Sequence, residues 1–181
     1  MEPRRAERFE RLFRDSYPLV RAYALRRAAP DVAQDAVADT FLVAWRRLED
    51  VPDDPLPWLY GTARRVLANQ RRSAARGVAL EQRLGGATTV DAGPDLGDTV
   101  ADAELVRVAL GRLSDRGREA LMLVAWEGLD GARAARAAGC SRAAFAVRLH
   151  RARRQLADEL AALEGPSRAP SPEPRSLEVG S

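Results

Sequence analysis

The segment from Arg142 to Arg154 contains the residues whose types and spacing most clearly indicate chemistry, namely the binding of an anion. Five arginines and the only histidine of the chain lie within it, with no acidic residue until Asp158: Arg142, Arg148, His150, Arg151, Arg153 and Arg154. A solvated helix normally mixes both charge signs, so this run predicts an anionic partner such as nucleic acid. The alternative interpretation is a basic face that meets only solvent.

The surrounding residues predict that this run lies on the second helix of a helix-turn-helix. Asp130 can cap a short first helix. Gly139 permits a sharp turn, and Ser141 can cap the second helix. Apolar residues then recur at spacings of four, three and four, which makes one buried stripe: Phe145, Leu149, Ala152 and Leu156. The candidate DNA contacts on this helix are Arg142, Arg148, His150, Arg151 and Arg154.

The residue inventory does not support catalysis, a metal site or a cofactor site. A metal site needs several ligands, yet the chain has one histidine, His150, and one cysteine, Cys140. The same scarcity argues against a set of nucleophile, base and acid. Cys140 falls in the predicted turn, where a small buried apolar side chain is expected rather than a redox sensor. We therefore predict a protein that is not an enzyme.

Charge is unevenly distributed along the 181 residues. Residues 1–76 carry fifteen arginines against eleven acids, and residues 104–163 carry eleven against seven. Residues 77–103 carry one arginine against five acids. All basic residues are arginines, whose planar guanidinium suits phosphate or guanine. The pattern predicts two basic lobes joined by an acidic connector.

Helical periodicity runs through nearly the whole chain, so the predicted fold is all-α with two small helical domains. The N-terminal helical pattern is expected to break near Pro18. Asp31 can cap the next helix, which would extend to about Leu48 and hold Trp45 in its core. Residues 49–57 contain three prolines and four acids, which predict a loop.

The chain divides into four predicted segments. Residues 1–76 form a helical domain whose last helix begins at Trp58, and residues 77–103 form a flexible acidic linker. Residues 104–163 form the helix-turn-helix domain, and residues 164–181 form a disordered tail rich in proline and serine. A linker of about 25 residues reaches at most ~80 Å at ~3.3 Å per residue, and two duplex turns cover about 70 Å. We therefore expect tethered lobes that can touch two DNA segments from one chain.

The sequence contains no apolar run before a cleavage site and no apolar stretch of 18 residues. We therefore expect a cytoplasmic location and no insertion into a membrane. It also contains no zipper or long dimerisation heptad, so an obligate homodimer is not expected.

Three segments match, in order, the patterns of one known family. The first is DVAQDAVADTFLVAWRRL, the second is PWLYGTARRVLANQRR, and the third is LSDRGREALMLVAWEGLDGARAARAAGCSRAAFAVRLHRARRQL. Together they resemble region two, the helix that faces the minus-ten promoter element, and region four of the extracytoplasmic-function (ECF) sigma factors of bacterial RNA polymerase. The resemblance covers about residues 7–76 and 104–158.

The resemblance implies a protein that binds core RNA polymerase, directs it to promoter DNA and helps to open the DNA. The implied polymerase contacts are Asp35, Asp39, Thr40 and Phe41. The implied minus-ten contacts are Trp58, Arg64, Arg65, Asn69, Arg71 and Arg72, although Trp58 at a helix start also fits a packing role. The loop 49–57 would set the minus-ten preference, and Arg142, Arg148, His150, Arg151 and Arg154 would contact the minus-thirty-five element.

The sequence departs from the family pattern at two places in region four. Ala146 and Val147 stand where polar or basic residues are common, so readout would rest on neighbouring arginines and on DNA shape. Arg133 and Arg136 replace the usual acids and would add affinity for phosphate.

Two other classes of protein remain open from the sequence. One is a stand-alone dimeric helix-turn-helix regulator that uses residues 1–76 as an effector or dimerisation lobe. The other is a protein-interaction module whose basic helix docks on an acidic partner. Both leave the basic helix from Trp58 to Arg76 without a role. An anti-sigma factor is a common partner in the family, but no residue here identifies one.

Overall fold

The computed structural model describes residues 2–83 and 100–164, and the regular elements in these two ranges are helical, which confirms the all-α prediction. The first lobe consists of α1 (Glu2–Leu25), α2 (Pro30–Arg46), a short 3₁₀ turn (Leu48–Asp50) and α3 (Leu56–Arg83). The second lobe consists of α4 (Val100–Gly111), α5 (Asp115–Ala125), α6 (Gly131–Ala138) and α7 (Arg142–Glu164). Most of the predicted linker and almost all of the predicted tail lie outside the described residues.

Helix α1 continues through Pro18, contrary to the predicted break. A proline inside a helix costs about 3 kcal/mol because one hydrogen bond is lost and the ring crowds the preceding turn. Val20, Tyr23 and Ala24 follow it and are fully buried, and each large buried side chain returns roughly 1.5–3 kcal/mol. Packing on the core therefore outweighs the local preference for a break.

Helix α2 begins at Pro30 rather than after a cap at Asp31. Proline suits the first helical position because its missing amide hydrogen would have no partner there, and Asp31 in the first turn faces the positive end of the helix. The buried face ends near Ala44, and Trp45, which was predicted to lie in the core, is 39% exposed. Its ring instead contacts Phe9, with centroids 5.1 Å apart, at the edge of the lobe.

Helix α3 continues to Arg83, past the predicted domain boundary at Arg76. The residues from 78 to 83 are VALEQR, mostly good helix formers, and the single Gly77 lowers helix stability by only about 1 kcal/mol. The predicted boundary at Arg76 therefore falls inside a helix rather than at its end.

The helix-turn-helix forms as predicted. The Asp130 carboxylate accepts hydrogen bonds from the amides of Ala132 and Arg133, which caps α6. Gly139 ends α6 with a φ of 67°, a left-handed conformation that glycine adopts without strain. The Ser141 hydroxyl accepts from the Ala144 amide at 3.2 Å and caps α7. These local signals fix the turn that orients α7.

The two lobes pack directly against each other in this structure. A single hydrophobic cluster contains Tyr60 and Ala63 from the first lobe together with Ala134 and Phe145 from the second. The closest approach is at Gly61 on α3, where an added Cβ would lie 3.1 Å from the backbone oxygen of Ala137 on α6. This packing was not predicted from the sequence, because periodicity reveals an apolar face but not what covers it.

Candidate nucleic-acid and polymerase surfaces

The outward face of α7 is an exposed basic surface of the second lobe. Phe145 and Ala152 are buried and Leu149 and Leu156 are half-buried, so the predicted apolar stripe is confirmed. Of the predicted minus-thirty-five residues, four are exposed: Arg142, His150, Arg151 and Arg154. Arg148 is half-buried and faces the first lobe rather than the outward surface.

The first helix of the helix-turn-helix uses its arginines within the protein. Arg133 donates to both carboxylate oxygens of Asp54, at 3.0 and 2.7 Å, and Arg136 donates to the same carboxylate at 2.7 Å. The Arg133 hydrogen bond, with Arg136 in support, lowers the pKa of Asp54. The two arginines were expected to add affinity for phosphate, but here they bind the loop 49–57. A guanidinium fork satisfied by a carboxylate is not available to phosphate in the same state.

Helix α3 presents the predicted minus-ten residues on two different sides. Arg65, Asn69, Arg71 and Arg72 are exposed, whereas Trp58 and Arg64 are half-buried. Trp58 packs against the hydrophobic core, as its position at a helix start indicated. Arg64 lies beside the helix-turn-helix, since a Cβ added at Gly139 would come within 3.3 Å of its Nη2. The minus-ten helix is thus partly covered by the second lobe.

Helix α2 divides the predicted polymerase contacts into exposed and buried residues. Asp35 and Asp39 are exposed. Thr40 is fully buried and donates to the Ala36 carbonyl at 2.6 Å, and Phe41 is also buried. Because positions 35 and 39 are four residues apart they share one face, and positions 40 and 41 turn toward the core. Thr40 and Phe41 therefore support the surface from within.

Buried ion pairs between the lobes were not anticipated from the sequence. Arg27, 9% exposed, donates to Glu119 through Nε and to Glu127 through Nη1, each at 2.8 Å. Arg26 also pairs with Glu127, whose side chain is only 1% exposed. Burial lowers the pKa of Arg27, but Tyr23 and the two carboxylates raise it more, so the net direction is upward. The partners are about a hundred residues apart in sequence, and no local motif signals such a pair.

Two tyrosines complete this junction. The Tyr23 hydroxyl donates to Glu119 at 2.7 Å, and its ring stacks on Tyr60 with centroids 4.7 Å apart. The Arg27 guanidinium lies 3.6 Å from the Tyr23 ring centroid on a cation–π contact. Burial, reinforced by Glu119, raises the pKa of Tyr23 well above its ordinary value, and burial raises the pKa of Tyr60 to about 12. Both hydroxyls therefore stay protonated at physiological pH.

A cleft of about 470 Å³ lies between the lobes, and we call it the interlobe cleft. The first lobe contributes Arg26, Arg27, Arg64 and Arg71 to its lining. The second lobe contributes Arg116, Arg118 and Arg148, together with the acids Asp115 and Glu119. The structure thus brings together three predicted DNA contacts, Arg64, Arg71 and Arg148, on the two sides of one cavity.

The remaining candidate residues do not assemble into a metal or redox site. Within residues 2–83 and 100–164, histidine, cysteine and carboxylates form no cluster with metal-ligand spacing. His150 is exposed on α7, and Cys140 is half-buried against the core beside the turn. Among the same described helices, none is long and apolar enough to cross a bilayer.

Known proteins provide an independent assignment of both lobes. The profile of sigma-70 region 2 matches residues 12–77, and the profile of sigma-70 region 4 matches residues 103–156. The sigma factor CnrH of Cupriavidus metallidurans is 35% identical over 138 residues, which cover 67% of this chain and 70% of CnrH. The ECF sigma factor SigL of Mycobacterium tuberculosis is 30% identical, with coverage of 74% of this chain and 78% of SigL.

A solved structure gives the same result. The sigma factor RpoE of Bartonella quintana, in complex with the anti-sigma factor NepR, superposes with a TM-score of 0.64 and 26% identity. The match covers 84% of this chain and 96% of RpoE. The match to region 2 gives the first lobe a role that a stand-alone helix-turn-helix regulator would not require. The chain belongs to the ECF subfamily of sigma-70 factors, which bind core RNA polymerase and promoter DNA and direct transcription initiation.

Proposed function

We propose that the outward face of α7 reads the minus-thirty-five promoter element through Arg142, His150, Arg151 and Arg154, with Arg148 joining once the lobes separate. The exposure of the first four residues supports this assignment, since each can reach phosphate or a base edge without rearrangement of its own lobe. Val147 is also exposed on this face and can touch a thymine methyl but cannot hydrogen-bond a base. Sequence preference therefore rests mainly on the arginines and on DNA shape.

The minus-ten element is the proposed ligand of α3, through Arg64, Arg65, Asn69, Arg71 and Arg72. Four of these residues are exposed, and arginines on a helix can hold the phosphates of a melted strand. Trp58 has a packing role in this proposal because its ring lies against the core. Asp54, bound by Arg133 and Arg136, is released when region four leaves the loop 49–57.

The polymerase-binding surface is proposed to lie on α2, around Asp35 and Asp39. Leu42 and Trp45 are exposed apolar residues of the same helix, and such a mixture of acids and apolar side chains suits a protein partner. Thr40 and Phe41 are assigned to the packing that holds this surface in shape. The proposal predicts loss of polymerase affinity from Asp39→Ala, with little loss from the matched exposed change Asp53→Ala.

In this proposal, residues 1–76 bind the polymerase and the minus-ten element, and residues 104–163 bind the minus-thirty-five element. Residues 77–103 connect them, with their first part helical. Because this chain would act by binding RNA polymerase, we place it in the cytoplasm and assign it no catalytic activity of its own. Because its structural relative RpoE is solved with the anti-sigma factor NepR, an anti-sigma factor is also a proposed partner of this chain.

Reconstitution with core RNA polymerase tests these assignments. The single observation that carries them is a pair of basic helical surfaces, on α3 and α7, in one chain that matches regions two and four. The purified protein with core polymerase should start transcription at defined sites on promoters from its own genome. Failure to bind the polymerase, with folded protein verified by circular dichroism, would contradict the proposal.

A further inference from the structure

The interlobe cleft has an excess of positive charge that the fold does not neutralise. Seven arginines and two acids line it, and its volume of about 470 Å³ lies within the range of roughly 300–1,000 Å³ typical of small-molecule sites. Arg26 and Arg27 are already paired with Glu119 and Glu127. Within the described residues, Arg64, Arg116 and Arg148 form no ion pair, and Arg71 donates only to the Arg27 carbonyl, at 2.8 Å.

Several buried donors of the lining arginines also lack an acceptor. In the described part of the chain, Arg27 Nη2, Arg26 Nε and Arg64 Nε are buried and have no hydrogen-bond partner. Buried donors in proteins are almost always satisfied, so exceptions call for an explanation such as a missing ion or ligand. Arg27 is more than nine-tenths buried, which makes its free nitrogen the strongest of these signals.

The described lining of the interlobe cleft offers no free aromatic ring on which a base could stack. Tyr23 is the aromatic side chain among the lining residues, and both faces of its ring are occupied. One face stacks on Tyr60 at 4.7 Å between centroids, and the Arg27 guanidinium lies 3.6 Å from the ring centroid. A ligand of this cleft therefore gains from its negative charges rather than from an aromatic group.

We propose that the interlobe cleft binds a compact polyphosphate anion that carries no required nucleobase. Arg64 and Arg71 on α3 would hold it from one side, and Arg116 on α5 and Arg148 on α7 from the other. Guanidinium groups suit phosphate oxygens because their planar forks donate two parallel hydrogen bonds. Since the ligand bridges the lobes, it binds the packed arrangement better than a separated one and stabilises it.

A second consequence rests on the proposed function. Arg64, Arg71 and Arg148 are proposed promoter contacts, so an anion in the cleft competes with DNA for the same side chains. The bound anion would then lower promoter affinity without contacting the outward face of α7. This consequence fails if α3 has no role in DNA binding, whereas the anion site itself does not depend on it.

Isothermal titration of the full-length chain with inorganic triphosphate, without DNA or polymerase, tests the site. We expect one saturable site per chain and much weaker binding of sulfate at equal ionic strength. Arg116→Glu should weaken triphosphate binding by at least about tenfold, because a charge-assisted hydrogen bond is lost and a repulsive charge is added. The matched control Arg153→Glu makes the same charge change on exposed α7, away from the cleft, and should leave affinity within about twofold.

The variants and a second ligand define what would overturn the proposal. Arg71→Glu, on the other lobe, should weaken binding as Arg116→Glu does, since both sides of the cleft contribute. Absence of saturable binding, or equal losses in Arg116→Glu and Arg153→Glu, would show only general attraction to a basic protein and would reject the site. Clearly tighter binding of ATP than of triphosphate would reject the base-free ligand class. Because no polymerase is present, these outcomes are separate from success or failure of transcription initiation.

Discussion

The arginines of this protein occupy two contrasting surroundings, the interlobe cleft and the outward face of α7. Arg27 is buried, binds two carboxylates and covers a tyrosine ring. Arg151 and Arg154 are exposed on α7. The first kind holds the two lobes together, and the second kind is available to DNA. Burial therefore decides whether an arginine of this protein is paired within the fold or exposed at its surface.

The buried and the exposed arginines also differ in what the loss of a charged partner costs. A buried charge that loses its partner costs several kcal/mol, whereas an exposed pair contributes only about 0–1 kcal/mol. The lobes are thus joined by contacts that are costly to break by the removal of one partner. The outward face of α7 has no such constraint and can be altered with little effect on folding. The following predictions test this difference, beginning with the largest expected effect.

The first prediction concerns Glu127, the buried carboxylate shared by Arg26 and Arg27. Glu127→Gln should weaken the packed arrangement by about 3 kcal/mol, because the half-buried Arg26 loses its charged partner and the buried Arg27 keeps only Glu119. Denaturant unfolding of the full chain measures this loss. The control Glu49→Gln removes an exposed pair with Arg8 and should cost less than about 1 kcal/mol. Equal losses in both variants would contradict the contrast between buried and exposed charge.

The second prediction concerns the close approach of α3 and α6 at Gly61. Gly61→Val should destabilise the lobe contact by about 1–3 kcal/mol, since its Cβ would lie 3.1 Å from the Ala137 backbone oxygen. Gly111→Val is the matched control, because an added Cβ at Gly111 meets nothing within 4 Å. Thermal unfolding of the two variants provides the comparison. A Gly61 variant as stable as the control would mean that the helices can separate slightly at no cost.

The third prediction concerns the exposed arginines. Arg151→Ala should weaken duplex binding severalfold and reduce the slope of log affinity against log salt by about one, because one phosphate contact is lost. Its folding stability should be nearly unchanged, in contrast to the Glu127 variant. Arg4→Ala, an exposed change on α1, is the control and should leave the slope as it is. An unchanged slope in Arg151→Ala would remove this residue from the DNA surface.

The smallest expected effect is at Asp54, whose side chain is 39% exposed. Hydrogen bonding from Arg133 lowers its pKa, so the folded protein favours the ionised form. The resulting stabilisation is complete above the ordinary aspartate pKa of about 3.9 and is lost as pH falls through the lowered value. Asp54→Asn should therefore lower the free energy of unfolding by well under about 1 kcal/mol at neutral pH, because solvent screens a partly exposed ion pair.

A pH series of unfolding midpoints tests this sign. The stability difference between the native chain and Asp54→Asn should shrink as pH falls below about 4. Asp53→Asn, at an exposed neighbouring position, removes the same charge from the loop and serves as the control variant. A difference that grows in acid would mean that Asp54 contributes through something other than its charge.

Local signals in the sequence were sufficient for the helix-turn-helix and its stripe. Asp130, Gly139 and Ser141 act within a few residues of their own positions, so their roles can be inferred without knowledge of the tertiary structure. The all-α class and the basic helices follow from periodicity and charge in the same way. The departures at Pro18 and Trp45 arise where packing from distant segments decides the outcome.

The contacts between the two lobes could not be predicted from such local signals. Arg27 meets Glu119 and Glu127 across 92 and 100 residues of chain, and charge counts alone cannot pair them. The same limit applies to Arg133 and Arg136, which appeared suited to phosphate but bind Asp54. For Thr40 and Phe41, the resemblance implied polymerase contacts on α2, and only the packing of α1, α2 and α3 distinguishes the inner face of this helix from its outer face.

Gly61 has a consequence for how this gene can evolve. A change at the middle base of a glycine codon always introduces an amino acid with a Cβ, so every mutation of that kind places a carbon about 3.1 Å from the Ala137 backbone oxygen of α6. A single base change can thus loosen the contact between the two lobes. Reversal requires glycine again, because only glycine lacks the Cβ that would crowd Ala137.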